Sequence, residues 1–456
     1  MTTTAAEIAH HARGVVVGAP DAVVTSWTFD SRALEPGACF VALRGRRDGH
    51  DFVADAFAAG ARVALISTGA LTVEVPPGAA LVRVDDVLVR LQELAHAARV
   101  ARPELRVVGV CGSTGKTSTK DMLAAVLAPL GCDASPASYN NEFGLPITLL
   151  NASTESRVVV AEMGERFPGD VAALCLIAQP SVGVVTNVGF AHAEHLGGPD
   201  GAAKAMGELL EALPAGGLAV LNADDEWTPT LAAVAGRDVT VVTVGTAGDA
   251  DYIIEDVELD PHLHPSFSLR GRRAGISLHG EHQVMNAALA LAVAHRGFDM
   301  DLDIAVKALA AVRPAPWRLE IEMTSSGVTV LNDAYNANPA SMDAALRALA
   351  RVPTTGRKIA VLGDMRELGM YSDDAHAAVG RRAAELGVDV LIGVGSGGRA
   401  IVDAANGVPE VATALDAGDA LRVVTALAAA GDSVLVKASR DVGLEVVATQ
   451  LLGAAS

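Results

Sequence analysis

The chain has 456 residues, half of them apolar, and a formal net charge of −19. That length implies about two to four domains, each able to bury its own core. The acidity argues against nucleic acid or an anionic membrane as the main partner, but leaves room for an anionic small molecule in a local basic pocket.

No apolar run reaches the roughly 18 residues needed to cross a bilayer. The opening Met1-Thr-Thr-Thr-Ala-Ala-Glu lacks a basic stretch followed by an apolar one, so no signal peptide is expected. Cys39, Cys111, Cys132 and Cys175 are scattered, without metal-like pairs, and read as reduced thiols of a cytoplasmic protein.

Residues 1–103 mix short strands with helices. Strands are predicted at 15–17, 38–43, 63–66 and 80–84, and helices at 52–59 and 88–100. Two polar clusters fall between them, Asp30-Ser31-Arg32 and Arg44-Gly-Arg46-Arg-Asp-Gly-His50-Asp51. Glycine-rich loops carrying Arg, Ser and His suit an anionic ligand such as a diphosphate; on the bare residues alone, a solvated hairpin loop is the readier reading. Arg102-Pro103-Glu104 is a linker candidate, because proline ends the preceding helix.

Residues 104–313 are organised around Val107-Val-Gly-Val-Cys-Gly112-Ser113-Thr114-Gly115-Lys116-Thr117-Ser118. An apolar strand meets a glycine turn, and a helix starts near Lys116. Glycines let backbone N–H groups curl round phosphate oxygens, the helix N-terminus adds its positive end, Lys116 reaches outer phosphates, and Thr117 offers a hydroxyl to Mg²⁺. Val110 stands where the longer P-loop spacing has glycine, so the motif is the short Gly112-x-x-Gly115-Lys116-Thr117.

Further strands at 158–162, 182–187, 218–222 and 239–244 alternate with helices, which implies parallel βαβ units. Ligands gather at the carboxyl ends of such strands. Glu162 ends one strand, His192 follows another, and Asn140-Asn141-Glu142 lies in a loop expected between two helices. A strand-end Glu is also commonly a cap or an ion-pair partner, and a lone His a satisfied polar group. The upstream P-loop is what raises both as sites. Residues 250–280 alternate apolar and polar and predict a small antiparallel insertion, followed by an alanine-rich helix that Gly280-Glu-His-Gln283-Val-Met-Asn286 opens.

Pro314-Ala-Pro316 marks a second linker. Beyond it, strands at 328–332, 358–362, 390–394 and 433–437 repeat the α/β pattern. The turns after them carry Asn332-Asp-Ala-Tyr-Asn336, Gly363-Asp364-Met-Arg-Glu367 and Lys437-Ala-Ser-Arg440.

Taken together, these segments resemble the Mur ligases of peptidoglycan precursor synthesis over nearly the whole chain and in the same order. The most specific are Ser138-Tyr-Asn-Asn-Glu-Phe-Gly-Leu-Pro146, Ala161-Glu-Met-Gly164, Asn332-Asp-Ala-Tyr-Asn-Ala-Asn-Pro-Ala-Ser-Met342 and Gly363-Asp-Met-Arg-Glu-Leu-Gly369. The resemblance implies an α/β chain of three domains. Residues 1–103 would bind the UDP end of the donor, residues 104–313 would form a central P-loop parallel-sheet ATPase domain, and residues 314–456 a Rossmann-like α/β ligase domain.

It implies the activity that joins D-alanyl-D-alanine to UDP-N-acetylmuramoyl-tripeptide with ATP and Mg²⁺, through an acyl phosphate, by a monomer. Lys116, Glu162 and His192 would be catalytic, and Thr117, Glu162 and His192 would hold Mg²⁺. The nucleotide would lie against residues 112–118, with Asn286 and Asn336 near the adenine and Arg318 and Lys437 near the phosphates. Ser31, Arg32, Arg46, His50, Asn140, Asn141, Asp364, Glu367 and Arg440 would contact the substrates. Another amide ligase of the superfamily, or a weakly active nucleotide-binding relative, fits the same residues.

Two positions depart from the family pattern. Relatives usually carry Ala-Lys-x-Glu on the helix after the His motif, and in several that lysine is carbamylated to bind a second Mg²⁺; here the segment is Ala205-Met206-Gly207-Glu208. Lys204 sits about 200° round the helix from Met206 and is no obvious substitute. Either the second metal is held otherwise or activity is reduced. Gln283 replaces an Asn, a milder change.

Overall fold

The computed structural model describes residues 3–45, 47–69 and 73–453. Arg46 lies outside the described residues. Among the described residues the strands form sheets of nine, six, five and two strands, and no helix is long and apolar enough to cross a membrane.

The nine-stranded sheet positions the site. The strands Arg106–Cys111, Val158–Glu162 and Val182–Val185 are runs of Val, Ala and Gly, buried along nearly their whole length, as parallel strands covered on both faces must be. Their side chains alternate between two cores. Val108, Val110, Val160 and Val184 face the helices Lys116–Leu127 and Gln283–Ala292. Val107, Val159, Ala161 and Val185 face Asp170–Ala178 and Pro199–Glu211.

Arg106–Cys111 lies between the other two strands, parallel to both, with Val110 opposite Glu162 and Cys111 opposite Val185. The chain therefore crosses to one side of the P-loop strand and then to the other, and the loops after all three strands open at one place.

The structure departs from the sequence pattern at the Asn140 loop and at residues 252–275. The loop holding Asn140 follows a short edge strand, Cys132–Ala134, and not a helix. The strands Tyr252–Leu259, Pro265–Leu269 and Arg272–Gly275 are antiparallel to one another as expected, but Tyr252–Leu259 pairs parallel with Thr240–Gly245, so they extend the central sheet.

The five-stranded sheet, Val15–Gly18 through Val63–Ser67 and Ala80–Val84, belongs to the first unit. Its helix Val87–Val100, capped by Asp86, anchors it to the middle of the chain. The Arg99 guanidinium donates to the Ala178 carbonyl at 3.0 Å, at the end of Asp170–Ala178. Asn151 brackets the Trp27 backbone with bonds of 2.7 and 2.9 Å, and Phe29 stacks on Tyr139 at 5.1 Å.

The six-stranded sheet orders as Glu320–Met323, Thr329–Asn332, Ser433–Lys437, Lys358–Gly363, Val390–Val394 and Glu410–Ala414. Its first pair is antiparallel and the rest are parallel. The two outermost strands, which the pattern did not predict, are half-exposed edges without a continuous apolar run.

Candidate active site

A cavity of about 1040 Å³ opens where the carboxyl ends of the central and C-terminal sheets face each other. Its central-sheet wall is the P-loop. Gly112 sits at φ +138°, where a Cβ would run into Thr186 Oγ1. Gly115 sits at φ +80°, where a Cβ would stand 2.5 Å from Asn286 Oδ1. Only glycine passes these two points. Asn187 props the loop open, accepting from Ser113 N at 2.9 Å and Thr114 N at 3.0 Å. The helix Lys116–Leu127 begins at Gly115 with no side-chain cap, so its first-turn N–H groups are left for an anion.

Lys116 Nζ bonds Glu165 at 2.8 Å and also reaches the Gly112 carbonyl. Thr117 donates its hydroxyl to Glu162 at 2.8 Å, and Asn140 donates to the other Glu162 oxygen at 2.9 Å. A hydroxyl and a buried carboxylate side by side are the hard oxygen donors Mg²⁺ takes, beside a place for phosphate. Among the described residues no three His, Cys, Asp or Glu side chains form a metal cage by themselves.

The opposite wall comes from the C-terminal unit. Arg318 reaches across to Thr117 Oγ1 at 2.7 Å and lies over the Tyr335 ring at 4.0 Å. Tyr335 donates to Ser138 at 2.6 Å, and Asn338 to the Ser113 carbonyl at 3.2 Å. Trp317 and Leu319, on either side of Arg318, have φ of +60° and +55°. Such conformations cost about 1–2 kcal/mol each. Bonds from Trp317 N to Glu320 and from Leu319 N to Asp333 hold them. The strain aims Arg318 into the cavity. Lys437 is buried, bonded to Asp333 at 2.6 Å and to the Asn336 carbonyl at 2.7 Å.

The two walls also meet at Glu367, whose carboxylate takes His192 Nδ1 and, at 2.7 Å, Arg166. Burial works to raise the Glu367 carboxyl, but the charges and hydrogen bonds of His192 and Arg166 outweigh it and hold the group below its ordinary range.

Models of three domains match in chain order: the Mur ligase family catalytic domain at residues 23–99, the middle domain at 110–294 and the glutamate ligase domain at 317–440. The UDP-N-acetylmuramoyl-tripeptide–D-alanyl-D-alanine ligase of Mycobacterium tuberculosis is 41% identical over 468 residues, covering 93% of this chain and 91% of the relative. The chain belongs to the Mur ligase family. The Escherichia coli enzyme of the same name is 34% identical, over 90% of this chain and 89% of the relative. Among solved structures, MurF of Acinetobacter baumannii superposes with a TM-score of 0.85 at 29% identity, covering 99% of both chains. MurF of Thermotoga maritima in complex with ADP gives 0.78 at 28% identity, over 94% of this chain and 97% of that one.

Within this Mur ligase, the cavity gathers most of the residues singled out from sequence. Ser113 to Ser118, Asn140, Asn141, Glu162, His192, Asn286, Arg318, Asn336, Glu367 and Lys437 all line it. Asn141 caps the following turn through Gly144 N at 2.9 Å. Asn286 bonds Gln283 at 3.0 Å against the P-loop, so the substituted Gln283 takes part in that wall.

The other expected substrate residues stand apart. His50 is buried, with Nδ1 on Asp48 at 2.5 Å and Nε2 accepting from Ser67 N at 3.0 Å, so both ring nitrogens brace the loop. Arg32 is exposed and paired with Asp30 at 2.7 Å, and Ser31 opens the same short turn. Asp364 accepts from Gly397 N at 2.7 Å behind the cavity. Arg440 lies over the Trp317 ring at 4.2 Å and pairs with Glu445.

On the helix Pro199–Glu211, Met206 is wholly buried and Lys204 is exposed, paired with Asp200 at 2.5 Å. Glu208 accepts from Gly169 N and Ala172 N at the start of Asp170–Ala178. The sequence pattern did not single out Glu165, Arg166, Tyr335 or Asn338. Tyr335 and Asn338 lie inside the Asn332–Met342 motif. Glu165 had one signal, an acidic residue three positions past the strand-end Glu162.

Proposed function

We propose that this Mur ligase joins D-alanyl-D-alanine to UDP-N-acetylmuramoyl-tripeptide, driven by ATP. The observation that carries the reading is the pairing of walls. Lys116, Thr117 and Glu162 sit on one, Arg318 and Lys437 on the other, around a cavity that accommodates a nucleotide and a peptide end. The names of the relatives supply the substrate pair.

A carboxylate is a poor electrophile. Its attack on the γ-phosphorus of ATP forms an acyl phosphate and releases ADP. The dipeptide amine then attacks the acyl carbon, the C–N bond forms, the bond to phosphate breaks, and the amine loses its proton. In the first step two anions meet, and Lys116 and Arg318 would lower that repulsion from opposite sides. Mg²⁺, when bound, would draw on Thr117 and Glu162 and add positive charge at the phosphates. Arg318, Tyr335 and Asn338 touch the P-loop side only with the units closed, so the phosphate site is complete only then, which limits loss of the acyl phosphate to water.

The division of labour we propose follows the linkers. Residues 1–103 take the UDP end through Ser31, Arg32 and the loop at 44–50, residues 104–313 take ATP, and residues 314–456 take the acceptor and close the site. From a UDP-linked donor and ATP we infer a cytoplasmic location, which the four free cysteines fit; we take the chain to be a monomer.

The test is phosphate release with ATP, Mg²⁺ and the UDP-linked tripeptide, with and without D-alanyl-D-alanine. Release only with the dipeptide is the expected result. Release with a different amino acid acceptor, or none at all despite tight ATP binding, sinks the assignment.

A further inference from the structure

Glu165 has a place in this site that the reaction as described does not use. It is wholly buried, yet it lines the cavity. One carboxylate oxygen holds Lys116 at 2.8 Å, and the other, fully buried, has no hydrogen-bond partner among the described residues. Burying a carboxylate oxygen without a partner is costly unless a cation or donor completes it.

The neighbouring helix offers no such group. Met206 packs its apolar side chain with Cys111 and Met163, Lys204 faces solvent, and Glu208 is occupied as a cap. The second oxygen of Glu165 therefore finds no partner on that helix. The carboxylate's field reaches the Cys111 thiol, which burial pushes up first and Glu165 pushes further.

Lys116 cannot serve both Glu165 and a nucleotide phosphate fully. When the lysine turns to the phosphate, Glu165 loses the cation that it holds among the described residues, while remaining out of water. We propose that Glu165 then takes a divalent cation in exchange for Lys116, so that binding of this second cation is coupled to the nucleotide. This rests on the reading of the P-loop as the ATP site. The ion would be distinct from one held by Thr117 and Glu162. It would lie between the phosphates and a wall on which Met206 provides no ligand. A hard oxygen donor selects Mg²⁺ or Mn²⁺.

The test counts bound Mn²⁺ by the loss of its free electron-paramagnetic-resonance signal, in the full chain with and without ADP. Wild type, Glu165→Gln, Glu165→Asp and Glu162→Gln are compared, with the melting temperature and ADP affinity of each as checks on folding and on the parent reading. With ADP, Glu165→Gln should lose one class of Mn²⁺ sites or weaken it about 10-fold or more, while Glu162→Gln weakens a different class. Without ADP, wild type and Glu165→Gln should bind alike, because Lys116 still holds the carboxylate. Glu165→Asp should restore part of the lost binding. Equal Mn²⁺ binding by wild type and Glu165→Gln in the presence of ADP overturns the exchange and leaves the ATP site standing. The exchange is equally overturned if Glu165→Gln changes only the KM for the dipeptide. A wild-type chain that binds no ADP overturns both.

Discussion

The loop at 44–51 and the P-loop at 112–118 read alike in sequence: each sets glycines among Arg or Lys, small polar residues and a strand. They fold into opposite electrostatic states. In the first, Asp48 accepts from His50 N and pairs with its ring, His50 accepts from Ser67 N, and Arg47 lies over Phe52. The described groups mostly satisfy one another. In the second, a helix begins without a side-chain cap, and Lys116 is held by a carboxylate whose second oxygen has no hydrogen-bond partner among the described residues. A loop that satisfies itself holds a shape; one left incomplete binds a ligand, because the ligand recovers what folding left unmade.

The contrast can be broken most forcefully at Lys116. Lys116→Ala should cut dipeptide-dependent phosphate release by on the order of 1,000-fold, and should also destabilise the fold by about 3 kcal/mol, since Glu165 is left buried and unpaired. The double variant Lys116→Ala with Glu165→Gln should recover the melting temperature but not the turnover. A double variant that stays as unstable as the single one would show that the ion pair is not the reason.

Arg318→Ala comes next. It removes the cation that the C-terminal unit lends to Thr117, and turnover should fall about 10- to 100-fold with the melting temperature nearly unchanged. In the first loop the same logic predicts the reverse pattern. His50→Ala should cost about 1–3 kcal/mol of stability, seen by denaturant titration, because it strands the partly buried Ser67 N–H and opens a space at a buried ring. The KM for the UDP-linked donor should change little. A large rise in that KM with the stability intact would make His50 a ligand after all.

A pH series sharpens the point. The Asp48 carboxyl is held below its ordinary value of 3.8, first by the His50 backbone N–H and then by the His50 ring. A carboxyl with a lowered folded value contributes stability that is complete above the unfolded value and lost as pH falls through the folded one. The stability gap between wild type and His50→Ala should therefore narrow below pH 3.8. The smallest effect belongs to Arg32→Ala, an exposed side chain whose ion pair among the described residues is with Asp30. The melting temperature should not move, and any consequence should appear as a weaker KM for the UDP-linked donor.

Much of this was legible in the order of residues. Short continuous runs of valine, punctuated by glycine, announce parallel strands, and the short Gly112-x-x-Gly115-Lys116-Thr117 motif announces its own loop, because both depend on local geometry that few residue types allow. The resemblance of motifs brought in the C-terminal residues. The edge strands Glu320–Met323 and Glu410–Ala414 were not legible, since half-exposed edges carry no regular apolar pattern.

What the sequence by itself determined is therefore the parallel α/β frame and the anion-binding turn, each fixed by neighbours a few positions apart. Only the tertiary structure decided which polar groups were already satisfied. Nothing local distinguishes His50, closed between Asp48 and Ser67, from a free ligand, or Glu165, buried with a vacant oxygen, from a surface acid. That difference is set by partners 17 and 49 residues away, brought within hydrogen-bond reach by the sheet.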